Sequence, residues 1–331
     1  MIVAPAAGGL RLHVLDTFDS TLIDAQRWNA LLAASATDAV FLTHDWQRLW
    51  WDRFGDERLM LVLAEREGEP VALAPLFAVD GSVSLVGSGN SDHLDFLGRP
   101  DEALLAAMLE AARAAAPGFA AIELYHVPAD SPTSALLPGV AARLGLEIHC
   151  EAALGAPYAD LRDGELLARL TERRSIRKEQ ARMRRAGPLH LRRASGENLR
   201  ALVELFLEQH GERWRAAGER SFDRAGSREF LRSVVLAGER DGWAQLTVLE
   251  WQDRPAAIDI SLIRGDTQLS WLVSRDPSIR EYSPGRVLRA HVVRAASRAG
   301  IRRFDFGLGE EDYKLRDASG VTAHHDWFLN P

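Results

Sequence analysis

The chain has 331 residues, 47% of them hydrophobic and 26% charged, and a formal net charge of −7. That length suits two domains of ordinary size, and the acidic balance excludes a global attraction to nucleic acid or anionic membrane. The single cysteine, Cys150, excludes an internal disulfide and a cysteine-rich metal site.

The N-terminal MIVAPAAGGL has neither a basic start nor a long apolar core, so no secretory signal is expected. No apolar run approaches the ~18 residues of a membrane span. A cytoplasmic protein without membrane insertion is the expectation.

A helix-like stretch then carries Trp46, Leu49, Trp50 and Phe54. Residues 61–77, LVLAEREGEPVALAPLF, read as strand, polar turn with proline, and strand. Short strands at 83–86 and 94–97, a helix over 103–116 and a strand at 121–125 follow. Next comes a basic helix over 165–186, with Arg173, Arg174, Arg177, Lys178, Arg182, Arg184 and Arg185. Leu166, Leu167, Leu170, Ile176 and Met183 form its apolar side. Such a helix is a solvated amphipathic element or a local anion site. It has little aromatic interleaving, so single-stranded nucleic acid is not favoured.

The second half repeats the order of the first. A helix-like stretch holds Leu205, Phe206, His210 and Trp214, and residues 246–263 again read as a hairpin. The same 185-residue offset separates Glu65 from Glu250, Pro70 from Pro255 and Ala72 from Ala257. A duplicated α/β unit is the simplest account. After the strand at 268–273 comes a loop with Arg280 and Ser283-Pro284-Gly285, then a helix over 286–299 and a strand over 303–307. A strand, a small-residue turn and a helix N-terminus make a ready anion site, because the first N–H groups have no partner within the helix.

That arrangement resembles the acyl-coenzyme A cradle of the GCN5-related N-acetyltransferases. Their loop reads Gln/Arg-x-x-Gly-x-Gly/Ala and opens the third helix. Arg280-x-x-Ser283-x-Gly285 fits, with Ser283 where the first glycine belongs and Pro284 removing one N–H. Further residues extend the likeness: Trp46, Trp50-Trp51 and Phe54-Gly55, the basic helix, the His210–Trp214 segment, and Asp305-Phe306-Gly307 followed by Tyr313-Lys314. Together they resemble the bacterial tandem acetyltransferase-fold proteins of the CelD-like group, distantly similar to the Fem-type peptidyltransferases of peptidoglycan cross-bridges. Asp-Phe-Gly is no kinase signature here, since the chain lacks a His-Arg-Asp loop.

The resemblance implies an α/β (α+β) chain of two tandem acetyltransferase-fold domains, each a mixed, mostly antiparallel sheet flanked by helices. Residues 1–160 are the degenerate first copy, 161–190 the basic linker helix, and 191–331 the copy that holds cofactor. It implies N-acyl transfer from acyl-coenzyme A, acetyl-coenzyme A above all, to a small-molecule amine acceptor such as an amino sugar or polysaccharide precursor. The alternatives are a Fem-like transferase using aminoacyl-tRNA and a non-catalytic binding protein on the same fold.

The candidate cofactor residues are Val273, as a backbone donor on the splayed fourth strand, with Arg280, Ser283, Gly285 and Arg286. The candidate catalytic residues are Asp259, Tyr313 and Lys314. Asp259 shares a strand face with Ser261, opposite Ile258, Ile260 and Leu262, and suits a general base. Tyr313 suits proton donation to the leaving thiolate, and Lys314 suits charge neutralisation. Among Asp305, Glu310, Glu311 and Asp312, one is a candidate to hold the acceptor amine. No metal is expected: in His324-His325-Asp326, adjacent imidazoles on a strand point to opposite faces.

Overall fold

A computed structural model describes residues 2–6, 9–216 and 224–331; the side chain of Trp214, part of the resemblance, lies outside that description. The chain divides into two compact units, Met1–Gly155 with Thr322–Pro331, and Ala156–Val321.

The first unit holds β1 (Ile2–Ala6), β2 (Leu10–Leu15), α1 (Ala25–Ala33), α2 (His44–Phe54), β3 (Arg58–Arg66) and β4 (Glu69–Val79). There follow β5 (Ser82–Leu85), β6 (Leu97–Gly98), α3 (Glu102–Ala115), β7 (Ala121–Pro128), α4 (Pro132–Leu144) and most of β8 (Glu147–Asp160). The second unit holds the end of β8, α5 (Gly164–Glu172), α6 (Arg174–Ala186), β9 (Leu189–Arg193), α7 (Glu197–Ala216), α8 (Ser227–Asp241) and β10 (Ala244–Trp251). It continues with β11 (Arg254–Arg264), β12 (Thr267–Arg275), α9 (Pro284–Arg298), β13 (Arg303–Asp305), α10 (Asp312–Asp317) and the start of β14 (Gly320–Asn330). The rest of β14 pairs with β7 and so belongs to the first unit, whereas the sequence reading placed the whole chain end in the second domain.

Strand order in the first unit is β1-β2-β3-β4-β5-β7-β14, with β5 and β7 parallel. In the second it is β8-β13-β12-β11-β10-β9, with β12 and β13 parallel. The β3–β4 and β10–β11 hairpins match in detail. Their turns are Glu67-Gly68 and Gln252-Asp253, all four residues at positive φ, as the turn that suits the twist of a two-residue hairpin requires. Each hairpin slips register at the same place, between Ala64 and Glu65 and between Leu249 and Glu250.

Where the sequence pattern suggests one linker helix, the structure has two. Arg173 turns extended, at ψ 137°, between α5 and α6. Leu166 and Leu170 form one apolar pair, and Ile176 and Met183 another. Six residues separate Leu170 from Ile176, which on a continuous helix would rotate the second pair about 120° away from the first. The break lets Leu166, Leu170 and Met183 enter one core.

That core lies on one face of the second unit's sheet, under α9, with Leu288, Val292 and Phe304. The other face packs Ile258 and Ile260 against Phe206 and Val203 of α7 and Leu231 of α8. Asp259 and Ser261 therefore project to the α9 face, as the alternation predicts.

Candidate functional site

The parallel pair opens the second unit's sheet. β12 and β13 pair over three positions, ending at Leu269 and Asp305, yet β12 runs on to Arg275. Beside it, β12 carries an extra residue: Ser261 faces Ser270 while Ile260 faces Leu272, so Trp271 is a bulge. A cavity of about 500 Å³ occupies the opening, lined by residues of α7, β11, β12, α9, α10 and the loop after β13.

Val273 lines this cavity. The Asp276 N–H donates to the Ala256 carbonyl at 3.0 Å, which sets the phase of the strand. By alternation, Ser274 and Leu272 also turn their N–H groups toward β11, and Val273 turns its own toward the opening.

The loop before α9 shapes the helix entry. Ser283 stands at φ 51°, ψ 48°, a left-handed conformation that favours glycine, and this explains the first glycine of the related pattern. Pro284 has no N–H, and those of Arg286 and Val287 both donate to the Ser283 carbonyl. The Gly285 N–H is thus the open donor of this turn among the described residues. A Cβ built at Gly285 meets nothing within 4 Å, and the residue faces the cavity. Neither backbone conformation nor packing within the protein demands a glycine there; the space it leaves belongs to the cavity. The site thus fits a phosphate-bearing acyl donor, though through one N–H rather than a full nest.

Arg286 also lines the cavity, and its Nη1 donates to Glu179 of α6 at 3.1 Å. Arg280 and Ser283 do not line it. Arg280 is exposed, and Ser283 acts on the turn through its backbone.

Asp259 is 2% exposed and has no cationic partner among the described residues. Its two oxygens accept from the Ser261 and Ser270 hydroxyls, each at 2.5 Å. Burial pushes its pKa up to about 6, against the opposing pull of the two hydroxyl donors. A carboxylate that titrates just below neutral pH, at the edge of a cavity, can take a proton from an amine. His210, buried on α7 and stacked on Phe206 at 5.2 Å, lines the same cavity.

Tyr313 and Lys314 both reach the cavity from α10. Tyr313 is 40% exposed, and the Arg289 guanidinium lies 4.7 Å from its ring centre. Lys314 is buried. Its ammonium donates to the Leu308 carbonyl at 2.6 Å and to that of Gly307 at 3.4 Å, and pairs with Glu311 at 3.0 Å. All three N–H donors are thus used to clamp the loop from Gly307 to Glu311. Of the other acids, Glu311 lines the cavity, Asp305 is buried and accepts from the Gly307 N–H at 2.9 Å, and Glu310 and Asp312 are exposed.

Sequence reasoning missed Arg289, Ser270 and Trp271. Arg289 was detectable: it stands four residues after Gly285, on the same helix face. Trp271 was not, because a bulge leaves no mark in the pattern of one strand. His324, in turn, sits in the first unit, its Nε2 2.8 Å from His93 Nδ1, and no metal-binding group occurs among the described residues. No described helix is long and apolar enough to cross a membrane.

In the first unit, side chains of α2 reach the segment that follows β5. The Gln47 amide donates to the Phe41 and Val86 carbonyls, at 2.7 and 2.9 Å, and the Trp46 indole donates to Ser91 at 2.9 Å.

An opened parallel strand pair on a mixed sheet, with a helix entering beside it, is the GNAT fold. Residues 171–315 match the acetyltransferase (GNAT) domain family. Among solved structures, FemX aligns with a TM-score of 0.67 at 15% identity, over 93% of this chain and 96% of that one. A conserved protein of unknown function from Bacteroides thetaiotaomicron aligns at 0.66 and 14% identity, over 96% and 98%. A tandem GNAT protein from the clavulanic acid biosynthesis pathway aligns at 0.52 and 15%, over 97% and 98%. These likenesses concern the fold. No curated protein matches the sequence.

Proposed function

We propose that the chain is an N-acyltransferase that moves an acyl group, acetyl above all, from acyl-coenzyme A to an amine. The observation that carries this reading is the opening between β12 and β13, with the Val273 N–H turned toward it and the open Gly285 at its edge. The pantetheine thioester lies in the opening, the donor phosphates meet the Gly285 N–H, and the thioester carbonyl accepts from Val273 N–H. Asp259 takes a proton from the amine as its nitrogen bonds to the thioester carbon. The C–S bond then breaks and Tyr313 gives its proton to the thiolate, which leaves an amide and free coenzyme A. Solvent returns the Asp259 proton to Tyr313. The role of Lys314 is to hold the Gly307–Glu311 loop that forms one wall. The acceptor class suggested by the CelD-like resemblance is an amino sugar or polysaccharide precursor.

Isothermal titration with acetyl-coenzyme A tests the reading. Saturable binding is expected for the wild type and its loss for Gly285→Glu. No binding to acetyl- or longer acyl-coenzyme A by the wild type rules the donor out.

One observation favours a second reading, in which aminoacyl-tRNA is the donor. Helix α6 carries the exposed Arg177, Lys178, Arg184 and Arg185, and it touches the cradle loop through Arg182, which donates to the Glu281 carbonyl at 3.0 Å. Charge reversal at Arg177, Lys178 and Arg184 then abolishes tRNA binding; unchanged binding sinks this reading.

A further inference from the structure

Arg289 is a guanidinium held in place with most of its hydrogen-bonding capacity unused. It lines the cavity, its side chain only 21% exposed, between the rings of Tyr313 at 4.7 Å and Phe306 at 5.9 Å. Such aromatic neighbours fix the plane of the fork. Its Nη2 donates to Asp317 at 2.9 Å, and its Nε and Nη1 have no acceptor among the described residues. Asp317 does not balance the local charge. The same carboxylate also faces Arg316 at 3.4 Å and Arg173 at 3.9 Å, so one anion serves three guanidiniums. Burial lowers the pKa of Arg289 from its ordinary value against the opposing pull of Asp317, so the guanidinium is a largely desolvated cation.

Position decides what fills it. Arg289 lies one helical turn, about 6 Å, beyond Gly285 along α9. In the proposed reaction the donor phosphates belong at the Gly285 N–H, whereas Arg289 stands against Tyr313, the proton donor of that reaction. We infer that Arg289 anchors a carboxylate on the acceptor, so that the acceptor is an amino acid or another amine bearing a carboxylate, rather than the neutral amino sugar that the resemblance suggests. This rests on the acyltransferase reading. Fork and carboxylate make two parallel charge-assisted hydrogen bonds, while the acceptor nitrogen is directed to Asp259.

The test pairs the common amino acids with their carboxamides, which keep the amine and lose the charge. Binding is measured by equilibrium dialysis without donor, and turnover with acetyl-coenzyme A. Wild-type protein is expected to favour at least one acid over its amide by about 100-fold or more in kcat/KM. Arg289→Met is expected to bring that ratio close to one by raising the KM for the acid, with acetyl-coenzyme A affinity within about threefold of wild type. Arg289→Lys, which keeps the charge and loses the fork, is expected between the two. A circular dichroism melt shows whether each variant is folded. Equal use of acids and amides by the wild type overturns the inference. So does an Arg289→Met variant that loses acetyl-coenzyme A affinity with its acid preference intact, since the guanidinium then serves the donor. So does a loss of kcat at unchanged acceptor KM. Failure of the wild type to bind acyl-coenzyme A is a different result: it removes the underlying reading, and acid-over-amide preference in dialysis still decides whether Arg289 holds a carboxylate.

Discussion

Ser270 on β12 donates its hydroxyl to Asp259 on β11 at 2.5 Å, beside the bulge at Trp271. The bulge shifts the register so that Val273, not Leu272, stands opposite Asp259. One extra residue thus brings a buried carboxylate, its hydroxyl partner and an outward N–H to the same stretch of cavity wall.

Asp259 gives the first prediction. Its pKa in the fold is about 6, against an ordinary 3.8. Between those values the folded chain binds more protons than the unfolded one, so the group's contribution to stability falls as pH rises from about 4 to 6 and stays low above. The penalty at neutral pH is on the order of 3 kcal/mol. Asp259→Asn should therefore melt higher than wild type at pH 8, with the difference gone by pH 4. Acyl transfer should rise through about pH 6 in the wild type and drop by roughly 100-fold or more in the variant. Melts at the two pH values and a pH–rate profile check both.

Gly285→Ala separates fold from binding. The added methyl meets no protein atom and removes the flexibility of glycine in the helix, so stability should gain roughly 0.5 kcal/mol. The methyl enters the cavity edge, so affinity for acetyl-coenzyme A should fall. A variant both more stable and equally tight in titration would show that nothing docks at this N-terminus.

Ser283→Gly acts in the other direction. A serine at φ 51° costs about 1 kcal/mol that glycine does not. The variant should melt higher and bind acetyl-coenzyme A at least as tightly, because the side chain makes no cap bond to α9. Weaker binding would mean that the hydroxyl itself touches the ligand.

Much of this was readable before the fold was known. The alternation of residues 257–262 placed Asp259 and Ser261 together, and the shared offset of Glu65 and Glu250 marked two hairpins whose turns and bulges coincide. Helix entry at Pro284 was legible because proline suits a first turn. Three features were not legible. The break at Arg173 follows from where α5 and α6 bury their apolar pairs, which is a tertiary demand. The bulge at Trp271 depends on the partner strand. The engagement of Lys314 by the Gly307 and Leu308 carbonyls depends on a loop conformation that glycines at positive φ permit.

Lys314 yields a prediction that divides a clamp from a group that acts on substrate. Lys314→Met leaves the Leu308 carbonyl and Glu311 without their cation, so the loop should open more often. Amide hydrogen exchange over residues 307–312 should accelerate, with a loss of roughly 1–3 kcal/mol in stability. Unchanged exchange with lost turnover would assign the ammonium to the reaction instead.

The last prediction concerns stoichiometry. Two units of like order suggest two donor sites, but in the first unit buried side chains of α2 tie down the segment after β5. Gln47 uses its amide on the Phe41 and Val86 carbonyls, and Trp46 and Trp50 place their indole N–H groups on Ser91 and Asn90. A Cβ at Gly87, in the turn after β5, would come within 2.7 Å of Ser91 Oγ, whereas one at Gly285 meets nothing within 4 Å. Opening the first unit would break these buried bonds, at about 1 kcal/mol or more each. Titration should therefore give one acetyl-coenzyme A per chain, abolished by Gly285→Glu and unchanged by Gly87→Glu in whatever fraction of that variant remains folded. A value of two, or one that survives Gly285→Glu, would place the donor in the first unit and leave the cavity beside Asp259 to another ligand.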